Sequence, residues 1–182
     1  YNITPGSRTN RLSHIMTHRL LTAALTLLTS LTSLHSEAQR HEFDPTLPAV
    51  HDPVMAQGED GRYYIYSTGM GISMMSSADM KTWHREKPVF DPRTEIPTWA
   101  QDTVRAPDVH RHNGKWYLYY SCSTFGKNGS AIGVATNKTL DPASPEYKWE
   151  DQGMVIASHR HQDNWNAIDP NLVIDTDGTA WL

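Results

Sequence analysis

Three aspartates recur in short, similar phrases and are the residues of this chain best suited to chemistry. Asp52, Asp108 and Asp169 are spaced by 56 and 61 residues, in the phrases HDPV from position 51, APDV from 106 and IDPN from 168. In glycoside hydrolysis one carboxylic acid protonates the leaving oxygen, and a second carboxylate activates water or attacks carbon. A third acidic group nearby raises the pKa of the acid by like-charge repulsion. Convergence of the three aspartates would therefore indicate glycoside hydrolysis.

The repeat also predicts the elements that must position these aspartates. Each phrase is followed by a Gly-led turn, at Gly61, Gly114 or Gly178, and then by an aromatic and aliphatic run. A repeat of this length, built from short strands and turns, is typical of propeller blades, each one small antiparallel sheet. Equivalent positions on successive blades face one central axis. No helical apolar period of useful length occurs after the N-terminal region, so the fold class is all-β.

The strand pattern divides the chain into successive blades. The first runs from about Val50 to Phe90, with strands predicted at 54–56, 63–66, 71–76 and 83–85. Residues 91–103 form an irregular connection. The second blade has strands predicted at 109–111, 116–123, 131–135 and 149–151, and a third begins near Ala167. Propellers have four to eight blades, so about two and a half blades predict the N-terminal part of a longer, truncated propeller domain.

Residues 1–38 are predicted to lie outside that domain. Met16 to Arg19 is a short basic start, residues 20–34 are uncharged and rich in Leu, Ala and Thr, and small residues flank Glu37. This order is typical of a secretory signal peptide over 16–38, with a buried amphipathic helix as the alternative. We interpret 1–15 as an upstream, non-native segment and 39–182 as the propeller domain, secreted or periplasmic.

Composition limits the partners. The chain has 16 Lys and Arg against 20 Asp and Glu, a formal net charge of −4, without a basic cluster. Proteins that bind nucleic acid use such clusters to neutralise phosphates, so we expect no nucleic acid and a neutral polymer or small molecule. The N-terminal apolar stretch is too short to favour a stable membrane span. Cys122 is the only cysteine and is predicted to be a buried structural thiol rather than a nucleophile.

Four segments together resemble a known family. They are residues 50–53 (VHDP), 106–109 (APDV), 119–126 (YYSCSTFG) with 130–135 (SAIGVA), and 166–170 (NAIDP). In this order and spacing the chain resembles the five-bladed propellers of glycoside hydrolase family 43, and within them the endo-α-1,5-L-arabinanases. The resemblance implies an inverting hydrolase that binds and cleaves arabinan or arabino-oligosaccharides. We also expect a monomer.

The resemblance also implies roles for individual residues. Asp52 matches the general base, which activates water, and Asp169 matches the aspartate that orients the general acid and modulates its pKa. The acid itself is a Glu on a later blade, and nothing in this chain matches it. Phe125 would offer a face to an arabinosyl ring, with a core aromatic as the alternative. Asn166 would contact sugar hydroxyls, with a turn residue as the alternative.

Asp108 is the third of the predicted substrate-binding residues. Its alternative is an architectural role in which the carboxylate caps a turn or accepts from backbone amides. Arg105 departs from the resemblance, because related arabinanases often have Trp at this position. Losing that stacking surface would shift subsite preference or chain-length specificity.

The resemblance implies no required cofactor and one possible Ca²⁺ in the full-length protein, bound through a His of a later blade. Within this chain, His159 and His161 have a spacing that two metal ligands on a strand could share, but a polar loop is favoured because no third ligand is evident.

Two other functions remain open. One is another activity of the same family, an exo-acting arabinofuranosidase or β-xylosidase. The other is a non-catalytic carbohydrate-binding propeller.

Overall fold

The described part of the chain is entirely made of strands and loops. The structure, a computed structural model, describes residues 43–100 and 103–182, and in these ranges ten strands form two four-stranded sheets and one two-stranded sheet. The predicted segments 1–15 and 16–38 lie outside the described residues. Within the described ranges no helix is long and apolar enough to cross a membrane. The all-β class predicted from the sequence is confirmed.

The first sheet is an antiparallel meander with strand order β1-β2-β3-β4. Its strands are β1 (Val54–Gln57), β2 (Tyr63–Ser67), β3 (Ser73–Ser77) and β4 (His84–Arg85). Tyr64 and Tyr66 alternate along β2 with less buried neighbours and are fully buried, as expected when successive side chains point to opposite faces of a sheet. This is one propeller blade.

The second sheet repeats the meander with longer strands, in the order β5-β6-β7-β8. Its strands are β5 (Val104–His112), β6 (Lys115–Cys122), β7 (Ser130–Asn137) and β8 (Glu150–Ser158). In β6, the buried Trp116, Leu118 and Tyr120 alternate with the half-buried Tyr117 and Tyr119. The sequence underestimated β5 and β8 because neither has a continuous alternation of apolar and polar residues. Pro107 interrupts β5, and most of β8 is exposed.

A third sheet begins near the end of the chain. It is an antiparallel hairpin of β9 (Val173–Ile174) and β10 (Ala180–Trp181), connected by a turn that contains Gly178. Gly61, Gly114 and Gly178 have φ angles of 78°, 75° and 87°, a backbone region that glycine adopts without steric cost. The three Gly-led turns read from the sequence are therefore turns in the structure.

The two complete sheets share one core. It includes Tyr64 and Tyr66 of the first sheet and Leu118 and Tyr120 of the second, all fully buried. Tyr66 also packs edge-on against Trp149, with ring centroids 5.9 Å apart. Aromatic contacts of this type are worth about 0.5–1.5 kcal/mol beyond the area that they bury. This packing places β1 beside β5, so the two inner strands lie close to each other.

Candidate active site

The three aspartate phrases meet at one open depression of about 300 Å³. It is lined by three short segments, one from each sheet or its entry: Asp52, Pro53 and Val54; Ala106, Pro107 and Asp108; and Asp169, Pro170 and Asn171. All three aspartates are thus brought together, as the repeat predicted. Phe125 and Asn166 do not line this depression.

The backbone has the same unusual conformation in all three segments. Asp52, Ala106 and Asp169 have positive φ angles of 49°, 45° and 54°, and each immediately precedes a proline. Residues other than glycine rarely adopt this region, and proline normally holds its predecessor extended. Such strain costs about 1–3 kcal/mol per residue and clusters at functional sites.

These angles correct the register of the repeat. The sequence treats Asp52, Asp108 and Asp169 as equivalent, whereas the structural counterpart of Asp52 and Asp169 is Ala106. Asp108 lies two residues further along the strand, at the position that Asn171 occupies in the third segment. The X-Pro pairs, aligned on the proline, would have given the correct register. Only the first and third segments present a carboxylate at the strained position.

A β-bulge at the start of β5 accompanies the strained residue. Arg105 pairs with Ser121 of β6 and Asp108 pairs with Tyr119, so one extra residue is accommodated between them. Bulges bend a strand and redirect its side chains, and they are frequent beside active sites. The bulge lies where β5 borders the depression.

The Asp52 carboxylate is held through one of its two oxygens. Thr68 donates its hydroxyl hydrogen to Oδ2 at 2.7 Å, and His51 Nδ1 lies 2.8 Å from the same oxygen. Within residues 43–100 and 103–182 no hydrogen bond or ion pair engages Oδ1. The Asp52 side chain is 39% exposed, so this second oxygen is available to a water or a substrate in the depression.

Asp108 is buried and bonded within the fold. Its Oδ2 accepts a hydrogen bond of 2.6 Å from the backbone N–H of Leu172 and lies 2.9 Å from His110 Nε2. The side chain is only 7% exposed. These contacts tie β5 to the segment that follows Asp169, which favours the architectural reading of Asp108 over substrate binding.

Asp169 is fixed by its backbone rather than by its carboxylate. Its N–H donates to the hydroxyl oxygen of Ser121 at 2.7 Å. In the part of the chain that the structure describes, its carboxylate has neither a hydrogen-bond donor nor a cation as partner. The side chain is therefore unengaged in this arrangement.

The other two predicted substrate-binding residues lie apart from the depression. Phe125 is 89% exposed and does not belong to the core of the described blades, contrary to the alternative of a core aromatic. Asn166 accepts hydrogen bonds from Gly129 N–H and from Ser158 Oγ, at 3.4 and 3.2 Å. Its carbonyl oxygen thus joins the loop before β7 to the end of β8, and its role towards a sugar stays a prediction.

Two lesser sequence expectations also have a structural outcome. Cys122 is buried, in agreement with a structural thiol. Within the described ranges, no group of three or more His, Cys, Asp or Glu side chains is arranged to hold a metal ion. His159 instead donates its backbone N–H to Asp163, at 2.7 Å. The calcium ion expected on a later blade stays a prediction.

Two hydroxyl residues were missed at the sequence level. Thr68 and Ser121 each lie seven residues after a turn glycine, Gly61 and Gly114. Thr68 Oγ1 accepts from Ala106 N–H at 2.8 Å, just as Ser121 Oγ accepts from Asp169 N–H. In both cases the hydroxyl of one blade holds the strained residue of the next. The shared position after the glycine was a signal that the sequence offered.

Known proteins resemble this chain over the same region. Residues 44–182 match the family described as glycosyl hydrolases family 43. An extracellular exo-α-(1→5)-L-arabinofuranosidase of Cellvibrio japonicus (strain Ueda107) is 50% identical over 140 residues, 73% of this chain and 39% of the relative. An extracellular endo-α-(1→5)-L-arabinanase of Bacillus subtilis (strain 168) is 38% identical over 142 residues, 73% of this chain and 42% of the relative.

A solved structure is also similar to this chain. The crystal structure of an exo-1,5-α-L-arabinanase from a bovine ruminal metagenomic library has 57% sequence identity and a TM-score of 0.73, and the match covers 78% of this chain and 48% of the other. This chain spans about two fifths of the length of the curated relatives it matches. The fold class predicted from the sequence is confirmed: two blades and the beginning of a third from a five-bladed β-propeller.

Proposed function

The chain belongs to glycosyl hydrolases family 43, and from this membership we propose that the whole protein hydrolyses α-1,5-L-arabinofuranosidic linkages in arabinan. The observation that carries the proposal is the meeting of Asp52 and Asp169 at one depression, on strained backbones that precede a proline. Glycoside hydrolysis requires two carboxyl groups beside the scissile bond, and Asp52 supplies one of them with Asp169 close by.

Asp52 is the general base of this proposal. Its Oδ2 is occupied by Thr68 and His51, which leaves Oδ1 to accept a proton from water. That water attacks the anomeric carbon as the bond to the leaving oxygen breaks, and the configuration is inverted. The general acid, a Glu on a later blade, protonates the leaving oxygen. In inverting enzymes the two carboxyl groups are about 6.5–9.5 Å apart to admit the water.

Asp169 orients that acid and modulates its pKa. The support is its position: it borders the same depression as Asp52, with a carboxylate that no described residue engages. A neighbouring carboxylate favours the protonated form of an acid through like-charge repulsion, which is the form that donates to the leaving group.

The proposed substrate is an uncharged furanoside polymer or its oligosaccharides. The relatives are named for action on α-1,5-linked arabinose, and the chain carries no basic cluster for a polyanion. Phe125, exposed on the loop after β6, supplies an aromatic face for a sugar ring. Both relatives are named extracellular, which supports export of this protein. We expect a monomer that needs no cofactor.

Endo and exo cleavage are two alternatives within this proposal. The sequence resemblance predicts endo action. Exo action is favoured by the names of the Cellvibrio relative and of the ruminal arabinanase, both more than 45% identical to this chain. Arg105, in place of the expected stacking Trp, also agrees with a change in subsite preference.

One experiment tests substrate, mechanism and mode together. Full-length protein is incubated with linear α-1,5-arabinan, and proton NMR follows the anomer that forms first while chromatography follows product length. The proposal predicts hydrolysis with initial inversion to the β-anomer. Early arabinose or one short product indicates exo action, and a spread of oligosaccharides indicates endo action. Binding of arabinan without hydrolysis would instead favour a carbohydrate-binding propeller, and cleavage of xylosides alone would favour a β-xylosidase.

A further inference from the structure

The hydroxyl of Thr68 lies between two parts of the depression. It donates to Asp52 Oδ2 at 2.7 Å and accepts from Ala106 N–H at 2.8 Å. A hydroxyl has one hydrogen and can accept at the same time, so both bonds form together. Accepting from Ala106 uses the oxygen, which leaves the single hydrogen directed to the carboxylate.

The backbone of Thr68 is fixed independently of its side chain. Its N–H donates to the carbonyl oxygen of His51 at 2.8 Å. His51, the residue before Asp52, is therefore anchored to the backbone of Thr68, and the Asp52 carboxylate is bonded to the Thr68 side chain. The orientation of the carboxylate is therefore set by Thr68 Oγ1 and by His51 Nδ1, which lies 2.8 Å from the same oxygen.

Ser121 provides an internal comparison. It holds Asp169 N–H in the same way that Thr68 holds Ala106 N–H. Ala106, however, has no carboxylate for Ser121 to donate to, whereas Thr68 faces the carboxylate of Asp52. The contact between blades is therefore repeated, and the donation to a carboxylate is specific to the blade that carries the proposed base.

We propose that Thr68 is the positioning residue of the base: it fixes Asp52 Oδ2 against the second blade so that Oδ1 faces the attacking water. The inference rests on the proposed function, in which Asp52 is the base. If the carboxylate moves, the water that it holds is no longer in line with the anomeric carbon. A displacement of about 1 Å between reacting groups can lower the rate about 100-fold.

The test compares Thr68→Val with Thr68→Ser in the full-length protein on linear arabino-oligosaccharides. Valine has nearly the shape of threonine but neither donates nor accepts, and serine retains the hydroxyl. We expect kcat of T68V to fall at least about tenfold with KM within about twofold, and T68S to keep kcat within about threefold of the original protein. Melting temperatures measured in parallel identify loss of folding. If T68V does not fold, Thr68→Cys replaces it, because a thiol keeps bulk but is a weak donor.

Each outcome decides the inference. A T68V or T68C kcat within threefold of the original overturns it, as does an equal loss of kcat in T68S. A rise in KM at constant kcat would also contradict it, since that result indicates substrate binding. Asp52→Asn separates this inference from the proposed function. If Asp52→Asn is inactive while T68V is fully active, only the role of Thr68 fails; an active Asp52→Asn removes the proposed base itself.

Discussion

Replacing Asp108 should reveal whether it supports the fold or binds substrate. Its Oδ2 accepts the Leu172 N–H at 2.6 Å and contacts His110 at 2.9 Å, in a side chain that is 7% exposed. Asp108→Ala leaves a buried N–H without a partner, which costs about 1–3 kcal/mol, and removes a bond to a charged acceptor worth about 1.5–3 kcal/mol. Because both figures describe largely the same interaction, we expect a loss of about 2–3 kcal/mol in the free energy of unfolding.

Asp108→Asn is the matched control. Its amide oxygen can take the place of Oδ2 and accept from Leu172 N–H, so only the charge assistance is lost, about 1 kcal/mol. The assay is urea unfolding of the full-length protein, followed by kcat and KM on arabino-oligosaccharides. Leu172 lies three residues after Asp169, so loosening it should lower kcat more than it raises KM.

The opposite pattern would refute this reasoning. If Asp108→Ala unfolds within about 0.5 kcal/mol of the original protein, the buried bond to Leu172 does not stabilise the junction. A large rise in KM for Asp108→Asn at unchanged stability would indicate that the carboxylate binds substrate directly.

Two further predictions concern the backbone. Gly71 and Gly114 have nearly equal φ angles, 74° and 75°, but a Cβ at Gly71 would overlap the carbonyl oxygen of Phe90 whereas one at Gly114 meets nothing within 4 Å. In urea unfolding, Gly71→Ala should therefore cost about 1–3 kcal/mol more than Gly114→Ala; equal losses would contradict the close approach. Ala106→Gly should leave stability unchanged or higher, because relief of about 1–2 kcal/mol of left-handed strain offsets about 0.4–1 kcal/mol of added chain entropy. Ala135→Gly, in β7 and without a positive φ angle, should cost about 0.5–1 kcal/mol by the same measurement, and an equal loss at Ala106 would show that its backbone is not strained.

The strands were predictable because local chemistry specifies them. The run after each turn glycine alternates buried and less buried side chains, and the buried set, such as Tyr64 and Tyr66, matches the period of a pleated strand. The ends were less predictable. β8 extends to Ser158 through mostly exposed residues, since pairing with β7 rather than burial maintains it.

The site was only partly predictable, because the alignment of its three segments with one another depends on backbone angles. Asp52 and Asp169 precede a proline whereas Asp108 follows one, so alignment on the prolines favours Ala106 as the counterpart and alignment on the aspartates favours Asp108. The φ angles decide the matter. Thr68 was missed for a related reason: its position after the turn glycine is visible in the sequence, but its two hydrogen bonds join residues 16 and 38 positions away, which the position alone does not reveal.

The measurement that tests the account most directly is the activity of Asp52→Asn in the full-length protein. Asparagine keeps the size of the side chain but cannot take a proton from water, so the general base is lost while the binding surfaces remain. We expect hydrolysis of linear α-1,5-arabinan to fall at least about 1000-fold, in line with loss of a general base, while calorimetry still detects binding of arabino-oligosaccharide. Near-original turnover in this variant would contradict the assignment of Asp52 and, with it, the proposed mechanism.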